Sequence, residues 1–537
     1  MKRRSKAGVK KNPLEKIQPK ERFRLVPEAV TNNKYFFLIL PVFYFIVVGY
    51  FSYTNHTVGD YGVETDFFWD YVPQAKEVLN GIMPIDEFRG PGYPLILALV
   101  SIPFKSDFHL AGIFLNVLCA SIILYLLLKT VTKIANRETA FICALFVSTN
   151  SYFLKYSYSC GTDMLFMVFY FSAIYFLFRN EEVSIKDLCV AGVFCGFAYI
   201  TRYTGLALMI AIPVVFILWR KKNITNKKYL LKGTGVFFLM CGIFVAVWGI
   251  ICLMYKGKFF YNHNFQNTAY TLYKPEYMSR DEWKFNHSLE FDSFFDVINY
   301  DPGVFFKKVF WDNLTSYFLM DMHILLPVYS GIAVSIGLVI FFMKYRFRTE
   351  KEKSFFVINL IFFSFLLLIF YSERFSLPIL PFYIFIALKI TELKVISKIP
   401  KRICFVFTLV LLSYTIYNSY TFISNDVSSG PKEMLSYRDW AEKNLPGERE
   451  NRITMSRKPH ISYYLNTKFE RVPFVRTYEE LLTEARNAKA DYLYLGPLEV
   501  SLIGNQFSYL LNPLNCPKEL EVLTYTTDPP TVLYKVN

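Results

Sequence analysis

Residues 59–99 read GDYGVETDFFWDYVPQAKEVLNGIMPIDEFRGPGYPLILAL and form a polar interruption after the first long apolar segment. Thr65 or Asp66 can cap a helix that ends at Gly81, because a side-chain oxygen satisfies unpaired amides at one end and glycine accepts a left-handed turn at the other. Asp66 and Asp70 are four residues apart and then share one face of that helix. The stretch therefore brings two acids onto one face.

The composition predicts a polytopic membrane protein. Of 537 residues, 53% are hydrophobic and 19% charged, and the mean hydropathy is +0.27, which is far more apolar than a soluble protein of this size. The net charge of +15 lies in short clusters between apolar segments, where membrane orientation explains it better than nucleic-acid binding does. The nine cysteines are scattered singly, which argues against a zinc site or a disulfide framework. Lone histidines such as His263 and His287 are more typical of a surface, so no histidine metal site is expected.

Basic residues set the predicted orientation. The tail 1–34 carries ten lysines and arginines between residues 2 and 24, so the positive-inside rule places it in the cytoplasm, and the retained apolar segment 35–53 leads outward. Residues 93–104 are apolar but fall short of the roughly 20 residues that a spanning helix needs. If they crossed the membrane, the basic loop 129–137 would lie outside. We therefore expect 93–104 to lie along the membrane surface.

Alternation then gives eleven spanning helices within a membrane module of residues 35–424, with outer loops at 54–108 and 256–321. The expected spans are 35–53, 109–128, 140–153, 164–178, 188–200, 205–219, 235–255, 325–343, 355–370, 375–388 and 404–422. The basic loops 220–228, 344–353 and 389–402 fall in the cytoplasm. An outer loop as long as 256–321 usually has a function.

From residue 425 to 537 the chain is polar, which predicts a soluble α/β domain on the outer face. RITMS, RVPFV, DYLYLG, LEVLTY and TVLYKV read as strands, and helices are suggested by PKEMLSYRDWAEKN, PHISYYLN and TYEELLTEARNAK. This alternation favours a mainly parallel sheet. No glycine-rich phosphate loop follows any strand, so nucleotide binding has no support there.

The predicted topology gathers ionisable residues at the outer helix ends. Such groups are costly at membrane depth and tend to face a cavity, so their shared side predicts a polar site that opens outward. Arginines suit an anionic group such as phosphate, and carboxylates suit a base or a metal. The candidates are Asp66, Asp70, Asp163, Arg202, Glu373 and Arg374.

Each candidate also has a purely structural interpretation. Asp66 and Asp163 can each cap a helix, and Asp70 can be simply solvated. Arg202 can anchor to lipid head groups, and residues 373 and 374 can pair with each other at little consequence.

Several motifs, in this order and spacing, resemble the GT-C integral-membrane glycosyltransferases that use polyprenyl-phosphate sugars. These motifs are TDFFWDYVPQAKEVLNG, FRGPGYPLILALVSIPF, SCGTDMLF, GVFCGFAYITRYTGLAL and ERFSLPILPFYIFIAL. The nearest groups are the bacterial aminoarabinose transferase-like proteins and the protein mannosyltransferases. The resemblance covers roughly 35–425 and implies a polytopic α-helical GT-C fold, with a C-terminal soluble domain like those appended to many bacterial members.

The resemblance implies transfer of a sugar from a polyprenyl-phosphate donor to a lipid, glycan or protein acceptor outside the cytoplasm. An acid of the first outer loop acts as base in this family. Asp66 matches that position best, and Asp70 is its rival because the spacing to Tyr71 varies among members. Direct displacement would invert the anomeric centre.

The resemblance also assigns the remaining candidates. Asp163 matches the acid of the second outer loop, which orients the acceptor or, in some members, holds a divalent metal such as Mg²⁺ or Mn²⁺. Arg202 and Arg374 match basic positions that receive the donor phosphate, with Glu373 beside them.

Two other functions remain open from the sequence. A transporter or flippase for a lipid-linked glycan would need a similar outward cavity, but such proteins more often show repeated halves and broken helices at the midplane. A noncatalytic scaffold would not require acids and arginines at helix ends. In each case we expect an integral protein of the plasma (inner) membrane with a cytoplasmic N-terminus and an extracytoplasmic C-terminal domain.

Overall fold

The structure is a computed structural model that describes residues 26–59, 64–223, 227–275, 278, 280–287, 290–393, 400–445, 447 and 449–537. Most of the predicted basic tail, and part of the basic loops at 220–228 and 389–402, lie outside these residues. Up to residue 444 the described chain is almost entirely helical.

The helical part surrounds the long Phe108–Ile134 helix. The Asp107 side chain caps this helix by accepting a hydrogen bond from the Leu110 amide at 3.0 Å. Its apolar faces are buried against four helices: Phe36–Asn55, Gly92–Ser101, Arg137–Ser148 and Thr162–Phe178. The other long helices are Ile185–Thr201, Leu206–Asn223, Lys227–Lys256, Val328–Met343, Glu350–Leu366 and Lys401–Ser428.

Five helices in the described part of the chain are long and apolar enough to cross a membrane. They are Phe36–Asn55, Phe108–Ile134, Lys228–Lys256, Glu373–Glu392 and Ile403–Asn444. A sixth candidate is the pair Ser151–Tyr158 and Thr162–Phe178, bent by 111° at the intervening break. The count of eleven spans therefore stays a prediction.

The stretch 59–99 is helical as predicted, but its start is built differently. Phe67–Tyr71 forms a π-helix that continues into the α-helix Val72–Leu79, and Gly81 follows with φ +75°. Asp66 makes no side-chain capping hydrogen bond, so the Asp66 alternative of the predicted cap is wrong, while the Thr65 alternative stays a prediction. The hydrogen bonds of a π-helix reach one residue further along the chain than those of an α-helix, and such turns are frequent at functional sites.

The apolar run 93–104 forms a short helix, Gly92–Ser101, followed by one 3₁₀ turn. It packs against the Phe108–Ile134 and Ile185–Thr201 helices and buries Tyr93 and Leu97 completely. The preceding Gly90 allows this approach, because a Cβ there would lie 2.1 Å from the Ile200 carbonyl oxygen. The helix is too short to span, as predicted, while its place along the membrane surface stays a prediction.

The C-terminal part forms a five-stranded sheet in the order β2-β1-β3-β5-β4. The strands are β1 (Ile453–Ser456), β2 (Lys468–Arg471), β3 (Tyr492–Leu495), β4 (Leu520–Thr527) and β5 (Pro530–Val536). Its main helices are Lys432–Asn444, His460–Leu465, Tyr478–Asn487 and Pro497–Ile503.

Two predictions for this sheet need correction. β1 runs parallel to β2 and β3, but β5 is antiparallel to both β3 and β4, so the sheet is mixed rather than mainly parallel. Only two residues separate β4 from β5, and such a short connection forces an antiparallel hairpin. β2 also lies at 468–471 instead of the predicted RVPFV at 471–475, since Pro473 has no amide to donate to a ladder.

Candidate active site

Arg89 joins three acids of the first loop. Its guanidinium lies 2.9 Å from Asp66 Oδ1, 2.9 Å from Asp70 Oδ2 and 3.8 Å from Asp86 Oδ1. The guanidinium also lies 5.6 Å from the centre of the Tyr71 ring. The shared face predicted for Asp66 and Asp70 is therefore held together by an arginine that sequence reasoning missed. Its signal was the position of an arginine directly before the GPGYP loop, close to several acids.

The surroundings of Asp70 change its protonation. Burial raises the pKa of the Asp70 carboxyl to about 7; the Arg89 guanidinium lowers it, and the Asp86 and Asp66 carboxylates raise it. Burial lowers the pKa of Arg89, but Tyr71 and the three acids raise it overall. Arg89 therefore stays charged while Asp70 changes its charge near neutral pH.

A second group of residues lies at the neighbouring helix ends. Asp163 sits in the first turn of Thr162–Phe178 and forms an ion pair with Arg202, which directly follows the Ile185–Thr201 helix. The Arg202 and Arg374 guanidiniums each lie 5.0 Å from the centre of the Phe375 ring. These groups face one small cavity, lined by Asp163, Phe166, Met167, Arg202, Thr204, Phe362, Leu366, Arg374, Phe375 and Pro378.

Arg374 connects the two groups, because its guanidinium lies 3.8 Å from Asp66 Oδ2. The Asp66 side chain is 37% exposed and the Asp70 side chain only 16%, so Asp66 is the more accessible acid. Glu373 has a different environment: its carboxylate accepts a hydrogen bond from the Tyr156 hydroxyl at 2.8 Å. It is not among the described residues that line the cavity.

An apolar groove of about 410 Å³ is lined by two of the chain segments that also line this cavity. The segment that carries Thr204 at the cavity continues into the Leu206–Asn223 helix, and Leu366 of the cavity directly follows Phe365 of the groove in the Glu350–Leu366 helix. The groove is lined by Leu206, Met209, Ile210, Pro213, Val214, Ile217, Thr234, Phe238 and Phe365. Residues of the polar cavity and of the apolar groove are thus neighbours along two segments of the chain.

The outer loop 256–321, the sheet region and the helical segment that contains Trp69 are in contact with one another. The Asp281 carboxylate forms ion pairs with the guanidiniums of Arg457 at 3.1 Å and Arg471 at 2.9 Å. The Arg471 guanidinium lies 4.8 Å from the centre of the Trp69 ring, and Phe469 packs against the same ring at 5.7 Å. Sequence reasoning missed these contacts because they join segments that are far apart in the chain, 176 and 190 residues for the two Asp281 ion pairs and still more for the Trp69 contacts.

The acids of the site do not fit a divalent metal. A carboxylate that binds Mg²⁺ or Mn²⁺ offers its oxygens to the ion. Here Asp163 is occupied by Arg202, and Arg89 holds both Asp66 and Asp70. The guanidiniums already supply the positive charge that a metal would bring.

Comparison with known proteins supports the fold. Residues 89–248 match the model of the dolichyl-phosphate-mannose-protein mannosyltransferase family. A search of curated proteins found no significant match.

Solved structures with low sequence identity share most of the architecture. ArnT from Cupriavidus metallidurans, bound to undecaprenyl phosphate, superposes with a TM-score of 0.54 at 12% identity, over 94% of this chain and 98% of ArnT. The apo oligosaccharyltransferase of Archaeoglobus fulgidus gives 0.55 at 12% identity, over 87% and 70% of the two chains. The same archaeal enzyme, AglB, in complex with an inhibitory peptide and a dolichol-phosphate, gives 0.51 at 11% identity, over 86% and 70%. The chain therefore has the GT-C fold of membrane glycosyltransferases, and its residues 89–248 carry the sequence pattern of the mannosyltransferase family.

Proposed function

We propose that this protein transfers a sugar from a polyprenyl-phosphate donor to an acceptor at the outer face of the membrane. The observation that carries the proposal is the contact of Asp66 with Arg374, which lines one cavity with Asp163 and Arg202. A base, an anion site and an apolar groove are thereby contiguous. Neighbours of the same fold bind undecaprenyl phosphate and dolichol-phosphate, which are donors of this chemical class after loss of the sugar.

The reaction follows from this geometry. A sugar or protein hydroxyl is a weak nucleophile at neutral pH, and a carboxylate that takes its proton speeds the step by roughly 100- to 10,000-fold. Departure of the lipid phosphate builds negative charge, which the forked donors of Arg202 and Arg374 stabilise. The acceptor oxygen forms the new bond as the bond to phosphate breaks, so the product has the inverted anomeric configuration.

Asp66 is the better base of the two aspartates. It is the more exposed and lies next to Arg374 at the phosphate end. Asp70 is less exposed. Among the arginines of the described chain, only Arg89 lies within 4 Å of the Asp70 carboxylate. We assign Asp70 the task of holding Arg89, which in turn orients Asp66.

Asp163 is assigned to the acceptor side rather than to a metal. Its ion pair with Arg202 lets it fix the orientation of that guanidinium and accept a hydrogen bond from an incoming hydroxyl. Glu373 supports the site indirectly, through Tyr156.

The proposed orientation rests on contacts at the far end of the bundle. Arg137 donates to the Thr31 carbonyl at 2.7 Å, and Lys351 pairs with Glu181 at 2.8 Å. These segments belong to loops that the charge pattern assigns to the cytoplasm, whereas the sheet region packs next to the site. Single cysteines introduced at Asn80 and Lys133 should therefore react with impermeant reagents from opposite sides, and labelling from one side would contradict this orientation.

The proposed function can be tested with the purified protein in liposomes. Polyprenyl-phosphate sugars with a labelled sugar are supplied together with crude envelope acceptors, and the released polyprenyl phosphate and labelled acceptor are measured. The wild type and the surface control Asp439→Asn should transfer sugar equally, while Asp66→Asn should not. Equal transfer by wild type, Asp66→Asn and Asp70→Asn would refute the assignment of the base.

A further inference from the structure

A second cluster of ionisable side chains lies outside the cavity. His56 follows the end of the Phe36–Asn55 helix, Glu64 precedes Asp66 by two residues, and His109 lies in the first turn of Phe108–Ile134. One nitrogen of each imidazole and one oxygen of Glu64 lie within 4.8 Å of one another. His56 Nε2 is 2.8 Å from Glu64 Oε1.

Two side chains of the cluster are buried, and His109 is half-buried. The side chains of His56 and Glu64 are both 0% exposed. Glu64 Oε2 and His109 Nε2 are buried atoms without a hydrogen-bond partner in the described structure. An unsatisfied buried polar atom costs about 1–3 kcal/mol, more when it is charged, so these two atoms call for a ligand.

The backbone conformation of Glu64 and a hydrogen bond to its carboxylate fix the position of this side chain. Its backbone has φ 71°, a left-handed conformation that a glutamate rarely adopts. Its Oε1 accepts a hydrogen bond from the Cys160 amide at 2.7 Å, across the break that separates the Ser151–Tyr158 and Thr162–Phe178 helices. The carboxylate is thus held between three segments of the bundle.

We propose that His56, Glu64 and His109 bind a divalent zinc-type cation. Two imidazoles and one carboxylate are a ligand set that Zn²⁺ takes in proteins, with a water molecule in the fourth position. Neutral imidazole nitrogens favour zinc over Mg²⁺ or Ca²⁺, which prefer oxygen ligands. Modest side-chain movement brings the three donor atoms to metal-bond distance, and the ion satisfies Glu64 Oε2 or His109 Nε2 directly.

The ion would act as a clamp on the first loop. It would join the end of the first long helix, the start of the central helix and the backbone just before Asp66. The same His109 ring lies 5.9 Å from Phe68 and 6.3 Å from Tyr463 of the sheet region, measured between ring centres. The positioning of Asp66 rests on the proposed function, whereas metal binding itself does not.

Metal content tests the site directly. The full-length protein is purified in detergent from zinc-supplemented cells, dialysed against metal-free buffer and analysed by plasma mass spectrometry. We expect about one zinc per chain in the wild type and at least a tenfold reduction in Glu64→Gln and His109→Ala, since ligand loss typically weakens metal binding by this much or more. His287→Ala is the matched control, because His287 pairs with Glu290 at 2.9 Å but belongs to no such cluster among the described residues.

Measurements on the wild type keep the test independent of variant folding. After chelation, Co²⁺ should restore the visible absorption bands of a tetrahedral site, and Zn²⁺ but not Mg²⁺ should raise the melting temperature. The proposal is overturned if the wild type retains no stoichiometric zinc and shows neither response, or if folded Glu64→Gln and His109→Ala bind as much zinc as His287→Ala. Metal binding without any effect on sugar transfer would leave the site intact and remove only its role in positioning Asp66.

Discussion

The helical bundle carries a cluster of charged side chains at each end, and the two clusters differ in the charged groups that they leave available. The site cluster contains Asp66, Asp70, Arg89, Asp163, Arg202 and Arg374. The opposite cluster contains Arg348, Lys351, Glu352, Lys389 and Glu392. The Glu373–Glu392 segment bears Arg374 at one end and Lys389 at the other. At the rise per residue of an α-helix, these two residues are roughly 22 Å apart along the segment.

The opposite cluster is closed. Lys389 pairs with Glu352, and Arg348 pairs with Glu392 at 2.6 Å. In the site cluster, by contrast, Arg374 reaches Asp66 only at 3.8 Å and lines a cavity. The contrast teaches that a group of charges alone does not mark a site: each cation of the opposite cluster has an ion-pair partner, which for Lys351 is Glu181 outside the cluster, whereas the proposed site keeps guanidinium donors facing a cavity.

The largest effect is expected for Asp66→Asn, which removes the proposed base and keeps the shape of the side chain. Transfer should fall by about 100- to 10,000-fold, because proton removal from the acceptor is lost. Initial rates at saturating donor, measured in liposomes, report this loss. A rate within a few-fold of wild type would move the base elsewhere.

Arg374→Lys should have the next largest effect. Lysine keeps the charge but loses the planar fork that suits phosphate, so kcat/KM for the donor should fall by roughly 10- to 100-fold. Donor titrations measure the change. Lys344→Arg, at the opposite end, is the control and should leave kcat/KM unaltered.

Asp70 should give the activity a pH dependence. Because the pKa of Asp70 is raised to about 7, lowering the pH through 7 protonates it and releases its hold on Arg89, so kcat/KM should decline. In Asp70→Asn this step near pH 7 should be absent. A step of unchanged position in the variant would show that another group titrates.

The same shift affects stability with the opposite sign. The native pKa of Asp70 is above its ordinary value of 3.8, so the folded state binds the extra proton between about pH 4 and 7. Its contribution to the free energy of unfolding is therefore full below pH 4 and is lost as the pH rises through 7. Thermal melts of wild type and Asp70→Asn across this window measure the difference.

Glu352→Gln should have the smallest effect on transfer. The substitution leaves the Lys389 ammonium with only its longer ion pair to Glu392, at 3.4 Å, so the free energy of unfolding should fall. Activity per folded molecule should nevertheless equal that of wild type, because this cluster borders no site. Loss of activity in well-folded Glu352→Gln would erase the distinction between the two clusters.

Sequence reasoning predicted the membrane class, the GT-C fold and most of the site cluster. The charge pattern placed Asp66, Asp163, Arg202 and Arg374 at helix ends on the same side of the membrane. Such a pattern relates residues that are far apart in the sequence. It did not identify Arg89, because an arginine in a polar loop can simply be exposed to solvent. Only the positions of its acidic partners in the structure distinguish it.

Other features depend on contacts that no local pattern encodes. His56 and His109 are far apart in sequence and lack any metal-ligand spacing, so their proximity to Glu64 appears only in the fold. The alternation of strands and helices predicts a mainly parallel sheet, whereas the two-residue connection between β4 and β5 forces an antiparallel hairpin.

The most direct test is a structure of the protein with polyprenyl phosphate bound in a lipid nanodisc. The account predicts the phosphate within hydrogen-bond distance of Arg202 and Arg374, with the isoprenoid tail along the groove that contains Met209 and Phe238. A phosphate bound instead at Lys344 or Lys351, with the site cluster unliganded, would contradict it.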